Sequence, residues 1–431
     1  MKKVVLFFIS FIFHTAIAQD FTLVELPAPE SMVYPYSEVE PSIAIHPKKK
    51  KIMVAGSILN NYYFSLDKGK NWESKSINSP YGVYGDPVME IDKNGKVYFF
   101  HLASYDKTTH LDRIVCQTAE DAKSDFNKGS FPKPNGAKVQ DKQWTVINQK
   151  NNHIYMTWTQ FDGYESTDPK DSSIIVFSKS MDDGASWTEP KRISFYGGDC
   201  LDGDNTVEGA VPAVGPNGDI YVTWTGPKGL VFQKSTDEGE TWLEVEKFID
   251  RQYEGWDLDI PGLNRANGLP ILKCDLSRSK NKGTLYLNWC DQKNGVDDTD
   301  VWLMKSTDGG ESWSKRIKVN QDNSKKHQFF TWMDIDQKDG SLYFIYYDRR
   351  NYADNQTDVF LSSSFDGGNS FHDIKISDSS FTPREEVFFG DYLNISANKG
   401  IVRPIWPRLD GDEISLWIAL VDKKGIRKKC K

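Results

Sequence analysis

Five acids stand at or just ahead of short runs of strand-forming residues. Glu40 precedes Pro41-Ser-Ile-Ala-Ile45, Asp86 precedes Pro87-Val-Met-Glu-Ile91, and Asp141, Glu208 and Asp391 hold similar positions near runs starting at about 143, 210 and 391. If those runs are strands around one axis, the carboxyl groups meet at its mouth. Crowded carboxyls push each other's pKa apart, so one can donate a proton while another stays ionised. Two of them roughly 5 Å apart, or wider, would suit glycoside hydrolysis with retention or inversion. Capping of strand starts, or holding water in a channel, is the other reading of the same residues.

Further candidates lie in long, irregular connections: His110, Asp112, Arg113, Lys142 and Tyr164, then Arg265, His327, Arg349, Arg350, Arg384 and Arg408. Guanidinium groups bind carboxylate or sulfate in bidentate fashion, so clustered arginine suggests an acidic ligand. Surface solvation is the alternative for each one singly. Trp256, Tyr352 and Tyr392 could stack on sugar rings or fill the core. The catalytic candidates are Asp86, Asp141, Glu208, Asp391, His110 and Tyr164. Those for substrate binding are Arg113, Lys142, Trp256, Arg265, His327, Arg349 and Tyr392.

A repeat must position them. Ser-x-Asp-x-Gly-x-x-Trp or Phe returns at Ser65, Ser180, Ser235, Ser306 and Ser364, placing Asp67, Asp182, Asp237, Asp308 and Asp366 alike. One match is expected about once in a hundred chains of this length, so five are no accident. Asp bonds to backbone N–H groups just ahead of it, Gly takes a positive φ, and the aromatic packs under the turn. These aspartates are therefore structural. Strand signals and Asn-Gly or Asp-Gly turns count seven units, whose first strands start near 41, 87, 143, 210, 269, 329 and 391. A spacing of roughly 45 to 65 residues suits four-stranded blades, so the expected fold is an all-β, seven-bladed β-propeller. Residues 21 to 27 would complete the last blade and close the ring.

Composition narrows the class. The 431 residues carry 53 Lys+Arg and 61 Asp+Glu, a net charge of −8, which argues against nucleic acid as partner. Lys2 and Lys3, the apolar run Val4 to Phe13 and Ala16-Ile-Ala18 read as a secretory signal peptide over residues 1–18. A secreted or periplasmic protein without a membrane span is expected, with one domain from 19 to 431. Cys274 and Cys290 flank the turn near Lys282 and could form a disulfide; Cys116, Cys200 and Cys430 have no evident partners. No metal site or cofactor is expected; structural calcium could sit at Asp199 to Asp204 or Asp297 to Asp300, although neither stretch has a known ligand spacing.

The five repeats resemble the Asp box (BNR repeat) of sialidase-like β-propellers. Sialidases proper have six blades, which makes six the alternative count. They bind the sialic-acid carboxylate through three arginines, the first in an Arg-Ile-Pro motif near the amino end. This chain has Tyr36-Ser-Glu-Val-Glu-Pro41 there instead, so no catalytic residue is carried over and the chain is not a sialidase by motif. Seven-bladed relatives include enzymes that cleave uronic-acid glycans by β-elimination with His, Tyr and Arg. His101, His110, Tyr164, His327 and Arg349 could fill those parts. The expectation is a carbohydrate-active enzyme that cleaves an acidic oligosaccharide or polysaccharide by hydrolysis. Elimination and non-catalytic glycan or protein binding are the alternatives.

Overall fold

The computed structural model describes residues 21–28, 38–107 and 110–429. The expected leader over residues 1–18 and Cys430 lie outside these. Seven blades follow in chain order. Blade 1 is Ser42–Ile45, Met53–Ser57, Asn61–Ser65 and Glu73–Ser76; blade 2 is Val88–Ile91, Val97–Ala103 and Arg113–Ala119, with Ser130 bridging Cys116 in place of a fourth strand. Blade 3 is Val139–Ile147, Ile154–Phe161, Ser173–Ser180 and Lys191–Arg192. Blade 4 is Glu208–Val214, Ile220–Thr225, Leu230–Ser235 and Lys247–Asp250. Blade 5 is Ile271–Cys274, Leu285–Asp291, Asp300–Ser306 and Ile317–Lys318, and blade 6 is Gln328–Asp336, Ser341–Asp348, Asp358–Ser364 and His372–Lys375. Blade 7 joins Asn394–Asn398, Ile401–Asp410 and Glu413–Asp422 to the amino-terminal strand Thr22–Glu25, which pairs from Thr22 with Leu420 to Glu25 with Trp417. A short helix, Lys423–Lys429, follows. The innermost strands touch in sequence around the ring and close it.

The second strands explain the apolar runs. Every residue of Ile154–Phe161 and of Ser341–Asp348 is buried, because each blade is covered on both faces by its neighbours. Outer strands such as Glu73–Ser76 and His372–Lys375 meet solvent and are correspondingly polar.

The five repeats close the turns between third and fourth strands in one way. In the first, Ser65 Oγ donates to Asp67 Oδ1 at 2.9 Å and accepts from Gly69 N at 2.9 Å, while Asn71 N donates to Asp67 Oδ1 at 3.0 Å. The third repeats this with Gly239 N to Ser235 Oγ at 2.8 Å and Thr241 N to Asp237 Oδ1 at 2.8 Å. Gly239 has φ +83°, and a Cβ there would lie 2.3 Å from the Phe177 ring of the preceding blade. The turn is thus both left-handed and pressed against its neighbour.

The expected disulfide does not form. Cys274 and Cys290 are both free, and the strand register sets Cys274 opposite Leu285. The connection from Asp275 to Gly283 moves the centre of the hairpin toward Asp275, so the two thiols fall at opposite ends of the strand pair.

Candidate active site

A local device turns the acids inward. Glu40, Asp86 and Lys142 have φ of 53°, 47° and 50°, in the left-handed region that side chains with a Cβ avoid. Phe330 (φ 51°), Gly209 and Gly390 repeat the conformation in blades 6, 4 and 7. Register breaks accompany it between Thr157 and Thr159, Glu208 and Val211, and Phe329 and Trp332, so the tops of these inner strands carry bulges. A bulge re-aims side chains, and strained residues of this kind gather at functional sites.

The result is a cavity of about 780 Å³ at the top of blades 1 to 3. Glu40, Asp86, Asp141, Lys142, His110, Tyr164 and Arg265 line it, and Ile58, Leu102, Leu111 and Phe388 supply apolar walls. Beneath, Tyr392 packs against Trp144 and Trp332, with ring centroids 5.1 and 6.1 Å away, and donates its hydroxyl to Asp86 Oδ1 at 3.2 Å.

Six acids here, Glu40, Asp86, Asp141, Asp202, Glu208 and Asp391, face two cations, Lys142 and Arg265. Asp391 takes most of the positive charge. Its Oδ1 accepts Arg265 Nε at 2.6 Å, and its Oδ2 accepts both Arg265 Nη2 and Lys142 Nζ. Burial opposes its ionisation, but Lys142 and Arg265 overcome that and hold it well below the usual carboxyl range. Lys142 also lies 3.8 Å from Asp86 Oδ1. Asp141 goes the other way: burial first, then the charge of Asp86, pushes it up to about 8. Glu40 rises well above its ordinary value through burial and then Asp86 and Asp391. Glu208 is wholly buried, and no donor among the described residues reaches either of its oxygens. Burial, then the charge of Asp202, raises its pKa well above the ordinary value. The site therefore holds a clamped carboxylate, Asp391, close to carboxyls whose pKa is raised, Asp141 among them.

Asp202 was not among the residues singled out for chemistry. It accepts the Tyr164 hydroxyl at 2.6 Å and lies 3.5 Å from Arg265 Nη1. Its signal in the sequence is the Asp-rich stretch from Asp199, which suggests calcium rather than sugar chemistry. Asp199 there accepts from Thr206 Oγ1 and Leu201 N, and Asp204 accepts the amides of Trp256 and Asp257. Asp300 is held by Asn294, Asn320 and Lys318. These loops spend their carboxylates on the chain itself.

Several expected ligand-binding residues serve elsewhere. Arg113 is paired with Asp112 at 2.7 Å and enclosed by Tyr81, Tyr105 and Phe131. Arg349 is buried, donating to Pro261 O at 2.7 Å and Thr357 Oγ1 at 3.1 Å. His327, its neighbour, bonds Thr299 through Nδ1 at 2.9 Å, and burial, then Arg349, lowers its pKa to about 4. His101 is sealed between Leu102 O and Gln117. Trp256 is buried, with its indole donating to Thr206 O at 3.2 Å, and so anchors the blade 4–5 insertion rather than offering a sugar platform. Tyr392 is likewise floor, not platform. The insertion contributes Arg265 alone to the cavity, through the small hairpin Asp257–Leu258 and Ala266–Asn267.

No family model matches the chain, and no curated protein does. Solved structures are similar in fold. An ulvan lyase of polysaccharide lyase family PL25, bound to -[GlcA(1-4)Rha3S]-, superposes with TM-score 0.53 at 14% identity, over 90% of this chain and 96% of its own. The NanB sialidase of Streptococcus pneumoniae gives 0.52 at 10% identity, over 87% of this chain and 84% of its own. These likenesses are of fold: the chain is a seven-bladed β-propeller with a sialidase-like fold.

Proposed function

We propose that the chain is a secreted or periplasmic carbohydrate-active enzyme that hydrolyses an acidic glycan in the top cavity. The observation that carries this is a pair of carboxyl groups in one cavity: Asp141, pushed up to about 8, beside Asp86, which accepts the Tyr392 hydroxyl and lies 3.8 Å from Lys142. A protonated carboxyl at neutral pH is a general acid for a leaving glycosidic oxygen. Asp86, beside it, is placed to activate water or meet the anomeric centre. Asp391 acts as a positioning residue that holds Lys142 and Arg265. Arg265 keeps 40% of its side chain exposed, and its guanidinium edge at the rim suits a uronate, sialate or sulfate group. The ulvan lyase and the sialidase, both similar in fold, support a glycan as substrate.

β-Elimination on a uronic-acid oligosaccharide is the second reading. It is favoured by Tyr164 and His110 lining the same cavity, with the phenol oriented by Asp202. A panel of uronic-acid, sialylated and sulfated glycans, with products read by mass, separates the readings. Products that gain water support hydrolysis, and unsaturated products of unchanged total mass support elimination. No turnover on any of them supports a glycan- or protein-binding propeller instead.

A further inference from the structure

We propose that the face opposite the cavity docks a polyanionic glycan chain on a basic patch built from blades 7 and 1 and the terminal helix. The cations come from the turn Lys48–Lys51, from Lys399, and from Lys424, Arg427 and Lys428 on the helix. Hydrogen bonds join the three pieces into one surface. Lys399 Nζ donates to Pro47 O at 2.9 Å and Lys48 O at 3.1 Å, Lys50 Nζ donates to Lys399 O at 3.4 Å, and Lys423 N donates to Gly400 O at 3.0 Å. The helix buries Ile426 and leaves Lys424, Arg427 and Lys428 exposed.

The neighbouring acids are bonded to other groups. Asp336 accepts the amides of Lys399 and Gly400, Asp339 is paired with Lys423, and Asp67 is spent on its own turn. Asp422 lies 4.0 Å from the buried Arg403. Among the described residues Lys48, Lys49, Lys51, Lys399, Lys424, Arg427 and Lys428 make no ion pair. The field is felt at His46 beneath them, whose pKa falls through burial, then Lys49, with Lys48 and Lys399 adding and Asp92 opposing.

Such a concentration in a chain of net charge −8 is complementary to a polyanion. Cations spread over two turns and a helix fit an extended chain better than a single small anion. A membrane surface fits less well, because a helix that lies on lipid turns its apolar face outward and this one turns Ile426 inward. The glycan as ligand class rests on the proposed function; the patch itself does not.

The test uses the full chain carrying Asp141→Asn, titrated with a heparin oligosaccharide by calorimetry at low and high salt. The expectation is binding that weakens steeply with salt and falls at least tenfold on combined Lys48→Glu, Lys49→Glu, Lys51→Glu and Lys399→Glu reversal. A matched reversal of the exposed Lys128, Lys170, Lys228 and Lys293 should leave it intact. No binding, or equal loss in both variants, overturns the proposal. Phosphatidylglycerol vesicles bound in preference to heparin overturn its choice of ligand. Heparin binding without turnover of any glycan leaves the patch standing while the cavity reading fails.

Discussion

Asp141 is the residue on which the chemistry turns. Its proton is kept by burial and by the neighbouring Asp86 up to about pH 8, so it is a donor across the neutral range. Turnover should therefore fall as pH rises through about 8, and Asp141→Asn should lower kcat by roughly 10²–10⁴. The same shift has a sign in stability. A carboxyl raised from 3.8 to about 8 on folding favours the folded state below the lower value, and that contribution is lost as pH rises to the upper one. Asp141→Asn carries no such titration. Its melting temperature relative to the parent should climb between about pH 4 and 8, and a constant difference across that range would contradict the assignment. At this scale the sequence was partly legible. The acids at or near the starts of five inner strands were visible from position alone, and Glu40, Asp86, Asp141, Glu208 and Asp391 do lie close together. Among the arginines Arg265 was named and lines the cavity, whereas Arg113 and Arg349 are set by what they bond to, and a sequence does not display partners.

At the scale of the element, the third-to-fourth strand turn is the repeated joint. Gly239 combines a φ of +83° with a site where a Cβ would meet Phe177 at 2.3 Å. Gly239→Ala should destabilise by about 2–4 kcal/mol, read as a lower midpoint in denaturant, since strain and overpacking add. Asp237→Ala, which loses turn hydrogen bonds without a clash, should cost about 1–2 kcal/mol. Blade count and the box turns were readable because they rest on local chemistry: Ser, Asp and Gly at fixed offsets, and Asn-Gly between strands. The inner-strand bulges were not. Lys142 and Phe330 in the left-handed region give no local signal, being neither Gly nor Asn, and they follow only from closure of the ring. The same limit misled the cysteine pairing, where the length of the Asp275 to Gly283 connection decided the register.

The whole molecule depends on ring closure by its amino-terminal strand. Thr22–Glu25 completes blade 7, and Leu26, buried at 3% exposure, bonds Leu416 O through its amide at 2.8 Å. Removing residues 19–28 should expose the edge at Glu413–Asp422 and either lower the melting temperature sharply or drive aggregation, since an open strand edge invites pairing. An unchanged melting temperature would mean the ring does not need this strand. Two faces then divide the work: a crowded acid cavity above, and repeated turns with a basic patch below. The central claim concerns the upper face, and cleavage of an acidic glycan in heavy-oxygen water tests it most directly. Hydrolysis at the cavity predicts products carrying the heavy oxygen at the new reducing end, with the signal lost in Asp141→Asn. An unsaturated, unlabelled product, or labelled product undiminished by that substitution, would contradict it.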